Sequence, residues 1–116
     1  AGHRCFVATT KPHVFARRIV EHFELATYLA DVYGSELDGT RTDKTELLRF
    51  ARRDRSSRRG SVMIGDRYHD VVGALNNGFR AIGVTWGYGT VGELRNAGAD
   101  SLADSPDQLA GLLQFP

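Results

Sequence analysis

Two aspartates, Asp66 and Asp70, stand four residues apart where a short apolar run, Ser61 to Gly65, ends. Ligands of parallel sheets bind beyond the carboxyl ends of the strands, so both carboxylates can face one point there. Such hard oxygen ligands suit Mg²⁺, which takes one or two carboxylates and keeps several waters. We therefore predict that Asp66 and Asp70 bind Mg²⁺. The alternative is a turn residue at Asp66 and a helix N-cap at Asp70.

The first apolar run, Cys5 to Thr9, likewise ends in polar residues, with Thr9 as its last residue and Thr10 directly after it. A hydroxyl and successive backbone N–H groups at the start of a helix are suited to a phosphate oxygen. Pro12 at the first helical position would open that helix. The alternative is that Thr9 or Thr10 serves only as the helix cap.

Lys44 stands between these two segments, just after Asp43, which with Glu46 forms a capping pair for a helix. A cation in the first turn opposes the helix dipole, so the local rule disfavours lysine there. Broken local rules tend to occur at functional sites. We predict that Lys44 neutralises the charge of a bound phosphate, although a lone lysine is more often only solvated.

Short apolar runs alternate with helical patterns along the whole chain, which predicts an α/β fold. We expect a Rossmann-like, doubly wound parallel sheet in a three-layer α/β/α arrangement, forming one domain over residues 1–116. The predicted strands are Cys5 to Thr9, Ala30 to Tyr33, Ser61 to Gly65, Arg80 to Thr85 and Asp100 to Ala103. The predicted helix signals are the apolar stripe of Phe15, Ile19 and Phe23, the cap pairs Thr90/Glu93 and Ser105/Gln108, and the stop at Gly98.

The composition is that of an ordinary globular domain, with 116 residues, 41% hydrophobic and 25% charged. The formal net charge of +1 gives no overall attraction to nucleic acid or to a membrane. A run of arginines between Arg49 and Arg59 is interpreted as a solvated helix face and not as a nucleic-acid patch. The single cysteine, Cys5, lies in an apolar run, which predicts a buried thiol and a cytoplasmic protein.

The order of these groups resembles a known family. Thr9 after a strand, Lys44 at a helix start and Gly65-Asp66-x-x-x-Asp70 after a later strand are similar to the second, third and fourth motifs of haloacid dehalogenase-like (HAD) phosphatases. The surrounding segments resemble the phosphoglycolate phosphatase-like branch, and the match extends over essentially the whole chain. The segments are Val7 to Pro12, Gly34 to Gly39 and Ala81 to Gly89.

The resemblance implies a Mg²⁺-dependent phosphatase that hydrolyses a small phosphomonoester, phosphoglycolate-like or a nucleotide, through an aspartyl-phosphate intermediate. It implies that Thr9 binds the phosphoryl group with help from the Thr10 backbone, and that Lys44 bridges nucleophile and phosphate. It also implies that Asp66 ligates Mg²⁺ and that Asp70 holds the metal directly or through water.

The chain departs from this family at its first motif, Asp-x-Asp-x-Thr/Val, which supplies the nucleophile and does not occur in the sequence. We expect the core to lack its central first strand and the cap, and these 116 residues alone to be inactive. A partner is therefore expected, an N-terminal segment of the same enzyme.

Two other functions stay open at this stage. One is a noncatalytic half-domain. The other is a phospho-accepting receiver module, whose motif order differs from the order seen here.

Overall fold

The structure is a computed structural model that describes residues 4–55 and 61–113. The chain divides between Ser56 and Ser57 into two compact units. Parallel strands alternate with helices in both units, so the predicted α/β class with parallel sheets and flanking helices is confirmed. The expectation of one domain over residues 1–116 stays a prediction, and each unit is described by itself below.

The N-terminal unit is a two-stranded parallel sheet with two α-helices. Its elements are β1 (Phe6–Pro12), α1 (His13–His22), a 3₁₀ turn (Ala26–Tyr28), β2 (Asp31–Ser35) and α2 (Lys44–Arg55). The ladder starts with Phe6 opposite Asp31. Its core cluster consists of the buried residues Ala16, Val20 and Val32, with Val7 and Leu29 packed against them.

Two sequence expectations for α1 are wrong. Pro12 is the N-cap and not the first helical residue, because its ψ of 135° is extended and β1 continues up to it. The predicted stripe is also exposed, with Phe23 65% accessible, whereas Ala16 and Val20 are buried. Alanine and valine are small, so this face lets the helix approach the sheet more closely than a stripe of aromatics would.

Cys5 is exposed and not buried as predicted. It precedes β1, which begins at Phe6. Its carbonyl accepts a hydrogen bond from the Ala30 amide at 2.7 Å, so its backbone is paired although its side chain is not covered. The apolar run predicted the strand but not the residue at which it starts.

The C-terminal unit is a three-stranded parallel sheet in the order β3-β4-β5. Its elements are β3 (Val62–Gly65), α3 (Tyr68–Asn76), β4 (Arg80–Val84), α4 (Val91–Ala97), β5 (Ser101–Ala103) and α5 (Pro106–Leu112). The core on one side of this sheet is formed by Ile82, Val84 and Ala103, covered by Leu109, Leu112 and Leu113 as the helical spacing predicts.

Four predicted helix caps are confirmed, because capping depends on residues adjacent in sequence. Asp43 Oδ1 accepts hydrogen bonds from the amides of Thr45 at 2.7 Å and Glu46 at 3.2 Å. The remaining caps are Thr90, Ser105 and the left-handed Gly98, whose φ is 99°.

Each unit contains a strand that is paired along one edge in the described part of the chain. β1 pairs with β2, and β3 pairs with β4.

The arginine run is described only in part. Arg49, Arg52 and Arg53 lie exposed on α2, whereas the Arg55 side chain, Arg58 and Arg59 lie outside the described residues. Exposure at the first three positions is what a solvated face requires, and the expectation that this run does not bind nucleic acid stays a prediction. No helix among residues 4–55 and 61–113 is long and apolar enough to cross a membrane.

Candidate active site

Lys44 is the first residue of α2 and is buried, with 8% of its surface accessible. Its Nζ donates a hydrogen bond to the carbonyl of Ala8 at 3.0 Å, across 36 residues of sequence. Ala8 directly precedes Thr9 in β1. The structure therefore brings the predicted lysine and the predicted threonine together, while Asp43 offsets the unfavourable cation at the helix start.

The loop that leads to Lys44 is held by Arg41, which the sequence analysis missed. Its guanidinium donates to the Glu36 carboxylate and lies over the Phe50 ring, 4.1 Å from the centroid. Arg41 also has a left-handed φ of 63°, which is uncommon for a residue with a side chain. A cation stacked on an aromatic ring and paired with a carboxylate fixes this turn ahead of α2.

Thr9 and Thr10 lie in a bulge of β1. Ala8 is opposite Tyr33 and Pro12 is opposite Ser35, so three residues of β1 face one residue of β2. The buried Ser35 hydroxyl donates to the Thr10 carbonyl at 2.7 Å and pins the bulge. Bulges of this kind redirect side chains and occur often beside active sites.

The alternative that Thr9 or Thr10 caps a helix is wrong, because α1 begins at His13 and its N-cap is Pro12. The expectation of outward backbone N–H groups at a helix start also needs correction. The Lys11 amide donates to Thr9 Oγ1 at 3.2 Å. The Thr9 hydroxyl oxygen is the acceptor in this hydrogen bond, so among the described residues the bond leaves its proton able to donate to a ligand.

Asp66 follows β3 and is enclosed by the loop after β4. The Tyr88 amide donates to Asp66 Oδ2 at 2.9 Å. A Cβ atom placed on Gly87 would lie 2.4 Å from the same oxygen, and one on Gly89 would lie 2.0 Å from the Asp66 carbonyl oxygen. Only glycines allow the loop to wrap this closely around the aspartate.

Asp70 is the third residue of α3 and is buried, with 7% of its surface accessible. Its Oδ2 accepts a hydrogen bond from the Arg67 amide at 3.2 Å. A Cβ on Gly65 would come within 2.3 Å of Asp70 Cβ, so the carboxylate side chain packs directly on the end of β3. The alternative that Asp70 is the N-cap of α3 is wrong. Arg67 is the N-cap, and the Asp70 side chain accepts a hydrogen bond from its backbone amide.

Glu93 on α4 joins this cluster, and the sequence analysis saw in it only half of a capping pair. Its Oε2 accepts hydrogen bonds from Arg67 Nε and from the Tyr68 amide, both at 2.8 Å. The Arg67 hydrogen bond, followed by the Tyr68 amide, holds the pKa of Glu93 below its ordinary value. The same contact raises the pKa of Arg67.

This pKa predicts how stability depends on pH. Because the folded-state pKa of Glu93 is lowered, its contribution to stability is present above the unfolded pKa, about 4.3, and is lost as pH falls through the folded value. We expect the difference in unfolding free energy between wild type and Glu93→Gln to be largest near neutral pH. Urea unfolding from neutral pH to about pH 3 measures it, and a difference that does not change with pH would contradict this prediction.

Thr9 and Lys44 thus lie in the N-terminal unit, where the Lys44 ammonium contacts the residue before Thr9, and Asp66 and Asp70 lie in the C-terminal unit at the end of β3 and in the first turn of α3. Within residues 4–55 and 61–113 there is no group of three or more His, Cys, Asp or Glu side chains arranged to hold a metal ion. A pair of carboxylates is nevertheless a ligand set that Mg²⁺ accepts when waters and a phosphate complete its shell.

Known proteins resemble this chain in sequence and in structure. The family model of HAD-hydrolase-like proteins matches residues 41–111. A 5'-nucleotidase of Pseudomonas aeruginosa is 50% identical over 81% of this chain and 43% of its own length. A phosphoglycolate phosphatase of Vibrio parahaemolyticus is 27% identical over 94% of this chain and 48% of its own length.

Among solved structures, a predicted phosphatase from Clostridium acetobutylicum superposes with a TM-score of 0.94 at 43% identity. The match covers 98% of this chain and 54% of that one. The chain therefore spans about half the length of each of these three proteins. The family match covers more than half of the chain and includes Lys44, Asp66 and Asp70. The relatives also include a tyrosine-protein kinase of Mycobacterium tuberculosis, which is 41% identical over 77% of this chain and 31% of its own length. The chain belongs to the haloacid dehalogenase-like hydrolases, and phosphatases are among its relatives.

Proposed function

We propose that this chain is the part of a phosphatase that binds Mg²⁺ and a phosphoryl group during hydrolysis of a small phosphomonoester. The substrate class is a phosphoglycolate-like ester or a nucleotide, and the site of action is the cytoplasm. The observation that carries the proposal is the way two carboxylates, Asp66 and Asp70, are fixed at the end of β3 by backbone amides and closely packed glycines.

The donor set of the C-terminal unit fits Mg²⁺. Both aspartates offer hard oxygen ligands, and each already accepts one amide hydrogen bond at Oδ2, which orients the carboxylate. Among the described residues, the hydrogen bond from the Tyr88 amide involves Oδ2 of Asp66, so the other carboxylate oxygen, Oδ1, can ligate a cation. When bound, Mg²⁺ would polarise a phosphoryl oxygen and offset its developing charge.

The N-terminal unit supplies the groups for the phosphoryl oxygens. The hydroxyl proton of Thr9 can be donated to one oxygen, and the bulge turns this residue and the Thr10 backbone out of the regular ladder. The ammonium of Lys44 is buried and held against the Ala8 carbonyl in β1, where a positive charge is worth more than in water. We infer that Lys44 stabilises negative charge as the phosphoryl group is transferred.

The attacking carboxylate is proposed to come from an N-terminal segment of the same enzyme, since the sequence has no Asp-x-Asp motif. Without a nucleophile, only binding and electrostatics remain for these 116 residues, so we expect them to bind metal without turnover. The family match favours a hydrolase over a receiver module.

The test is a titration of the full-length protein with Mn²⁺ as the probe, together with Mg²⁺-dependent hydrolysis of a generic phosphomonoester. We expect Asp66→Asn to weaken Mn²⁺ binding about tenfold, because an amide oxygen is a weaker ligand than a carboxylate. Hydrolysis should fall in parallel.

The matched control is Asp107→Asn, which removes the same charge from an exposed position at the start of α5. It should leave both measurements unchanged. If wild type shows no Mg²⁺-dependent turnover, or if Asp66→Asn behaves like Asp107→Asn, the proposed function is wrong.

A further inference from the structure

Tyr88 lies in the loop that encloses Asp66, and 93% of its surface is accessible. Its backbone is nevertheless fixed, because its amide donates to Asp66 Oδ2 at 2.9 Å. The glycines on either side of it, Gly87 and Gly89, pack so closely on Asp66 that neither has room for a Cβ. The loop therefore holds an exposed aromatic side chain on a fixed backbone next to Asp66.

Two further aromatic residues lie close to this position in the sequence. Trp86 stands two residues before Tyr88 in the same loop and is 49% accessible, and Tyr68 stands two residues after Asp66 and is 50% accessible. The backbone of Tyr68 is also held, since its amide donates to Glu93 Oε2 at 2.8 Å. A single exposed aromatic residue is ordinary on a protein surface, whereas three of them within two residues of Asp66 or Tyr88 indicate a binding surface.

The chemistry of these side chains favours a flat aromatic ligand. The face of a tyrosine or tryptophan ring stacks on a nucleic-acid base of any kind. Tyrosine offers a large contact area with only two side-chain torsions to order, and the backbone of Tyr88 is already fixed, so binding has a low entropy cost. A phosphoglycolate-like ester has no ring that could use this surface, whereas a nucleotide has one.

We propose that Tyr88 is a specificity-determining residue that stacks on the base of a nucleotide whose phosphate is bound beside Asp66, so that the substrate is a nucleoside monophosphate. This inference rests on the proposed function, because it chooses between the two substrate classes given there. It uses only the exposed ring of Tyr88 and leaves the hydrogen bonds of both aspartates as they are.

Calorimetric titration of the full-length protein tests it, in EDTA, which stops the proposed Mg²⁺-dependent hydrolysis. The two probes are adenosine 5'-monophosphate (AMP) and ribose 5-phosphate, which has the same sugar and phosphate but no base. We expect wild type to bind AMP about tenfold more tightly than ribose 5-phosphate, the effect of one base stacked on an aromatic ring. Tyr88→Ala should weaken AMP binding about tenfold and leave ribose 5-phosphate binding unchanged. Tyr88→Phe keeps the ring and should bind AMP within about twofold of wild type.

The matched control is Tyr28→Ala, which removes an exposed tyrosine, 76% accessible, from the N-terminal unit. It should change the affinity for neither probe. Equal binding of the two probes by wild type, binding of neither, or unchanged AMP binding in Tyr88→Ala would overturn the inference. If Tyr88→Ala weakens both probes alike or does not fold, the ring packs against another part of the protein and the inference is again wrong.

These outcomes differ from a failure of the proposed function, which is tested by Mg²⁺-dependent hydrolysis of a phosphomonoester without an aromatic ring. If that hydrolysis occurs while wild type binds AMP and ribose 5-phosphate equally, the phosphatase function stands and only the assignment of a nucleotide is refuted. If that hydrolysis does not occur, the proposed function is wrong and the inference fails with it.

Discussion

Replacing Lys44 by methionine is expected to lower kcat of the full-length protein about 10²- to 10³-fold, the usual cost of removing one preorganised group that stabilises charge in the transition state. Methionine has a similar length and fills the buried space of the lysine stem. The hydrogen bond to the Ala8 carbonyl is also lost, at a cost in stability of about 1 kcal/mol. Steady-state kinetics should therefore show a large decrease in kcat, whereas thermal unfolding should show only a small decrease in stability.

The control for this substitution is Arg52→Met, which removes one positive charge from an exposed position of the same helix. Its kcat should equal that of wild type. A drop in kcat of Lys44→Met that is no larger than the drop in Arg52→Met would show that the ammonium takes no part in the reaction. A large loss of folded protein in Lys44→Met would show instead that its role is structural.

The sequence predicts best those features that depend on neighbouring residues. The caps at Asp43, Thr90 and Ser105 are confirmed because each depends on amides two or three residues away. The strands are found to within three residues for a similar reason, since each is a continuous apolar run between turn signals. The position of Asp66 and Asp70 after β3 follows from the same local pattern.

The features that the sequence does not predict depend on contacts between distant residues. The face of α1 that is buried is set by which residues fit against the sheet, and an apolar stripe alone does not distinguish Phe15 from Ala16. The bulge that carries Thr9 arises from the pairing of β1 with β2, including the Ser35 hydrogen bond 25 residues away. Glu93 has the sequence context of a capping residue, and only its approach to Arg67 shows otherwise.

The glycines close to the two aspartates are a sequence signal for the candidate site that our predictions from local patterns did not consider. Gly65 and Gly87 each occupy a place where a Cβ would come within 2.3 Å of an aspartate Cβ. Gly65 is the last residue of β3 and Gly87 follows β4, so both lie at the carboxyl edge of the same three-stranded sheet. Close backbone approach is a standard reason for glycine, so a glycine next to a strand end with a nearby aspartate indicates a tightly packed carboxylate.

Gly89→Ala is expected to destabilise the protein by about 3 kcal/mol, at the upper end of what overpacking a close contact usually costs. The new methyl group would lie 2.0 Å from the carbonyl oxygen of Asp66, and a backbone atom cannot move aside as the end of a flexible side chain can. The loop must therefore shift away from Asp66, which would disturb the hydrogen bond from the Tyr88 amide to its carboxylate. Urea unfolding and Mn²⁺ titration should both report the change.

The matched control lies three residues further along the chain. Gly92 is in the first turn of α4, and the nearest atom to a Cβ there is Thr90 Oγ1 at 3.9 Å, an ordinary contact. Because alanine favours a helix over glycine, Gly92→Ala should stabilise the protein by about 0.5–1 kcal/mol and leave Mn²⁺ binding unchanged. If Gly89→Ala is as stable as Gly92→Ala, the loop does not wrap Asp66 as closely as the structure shows, and the support for a preorganised carboxylate at this position is lost.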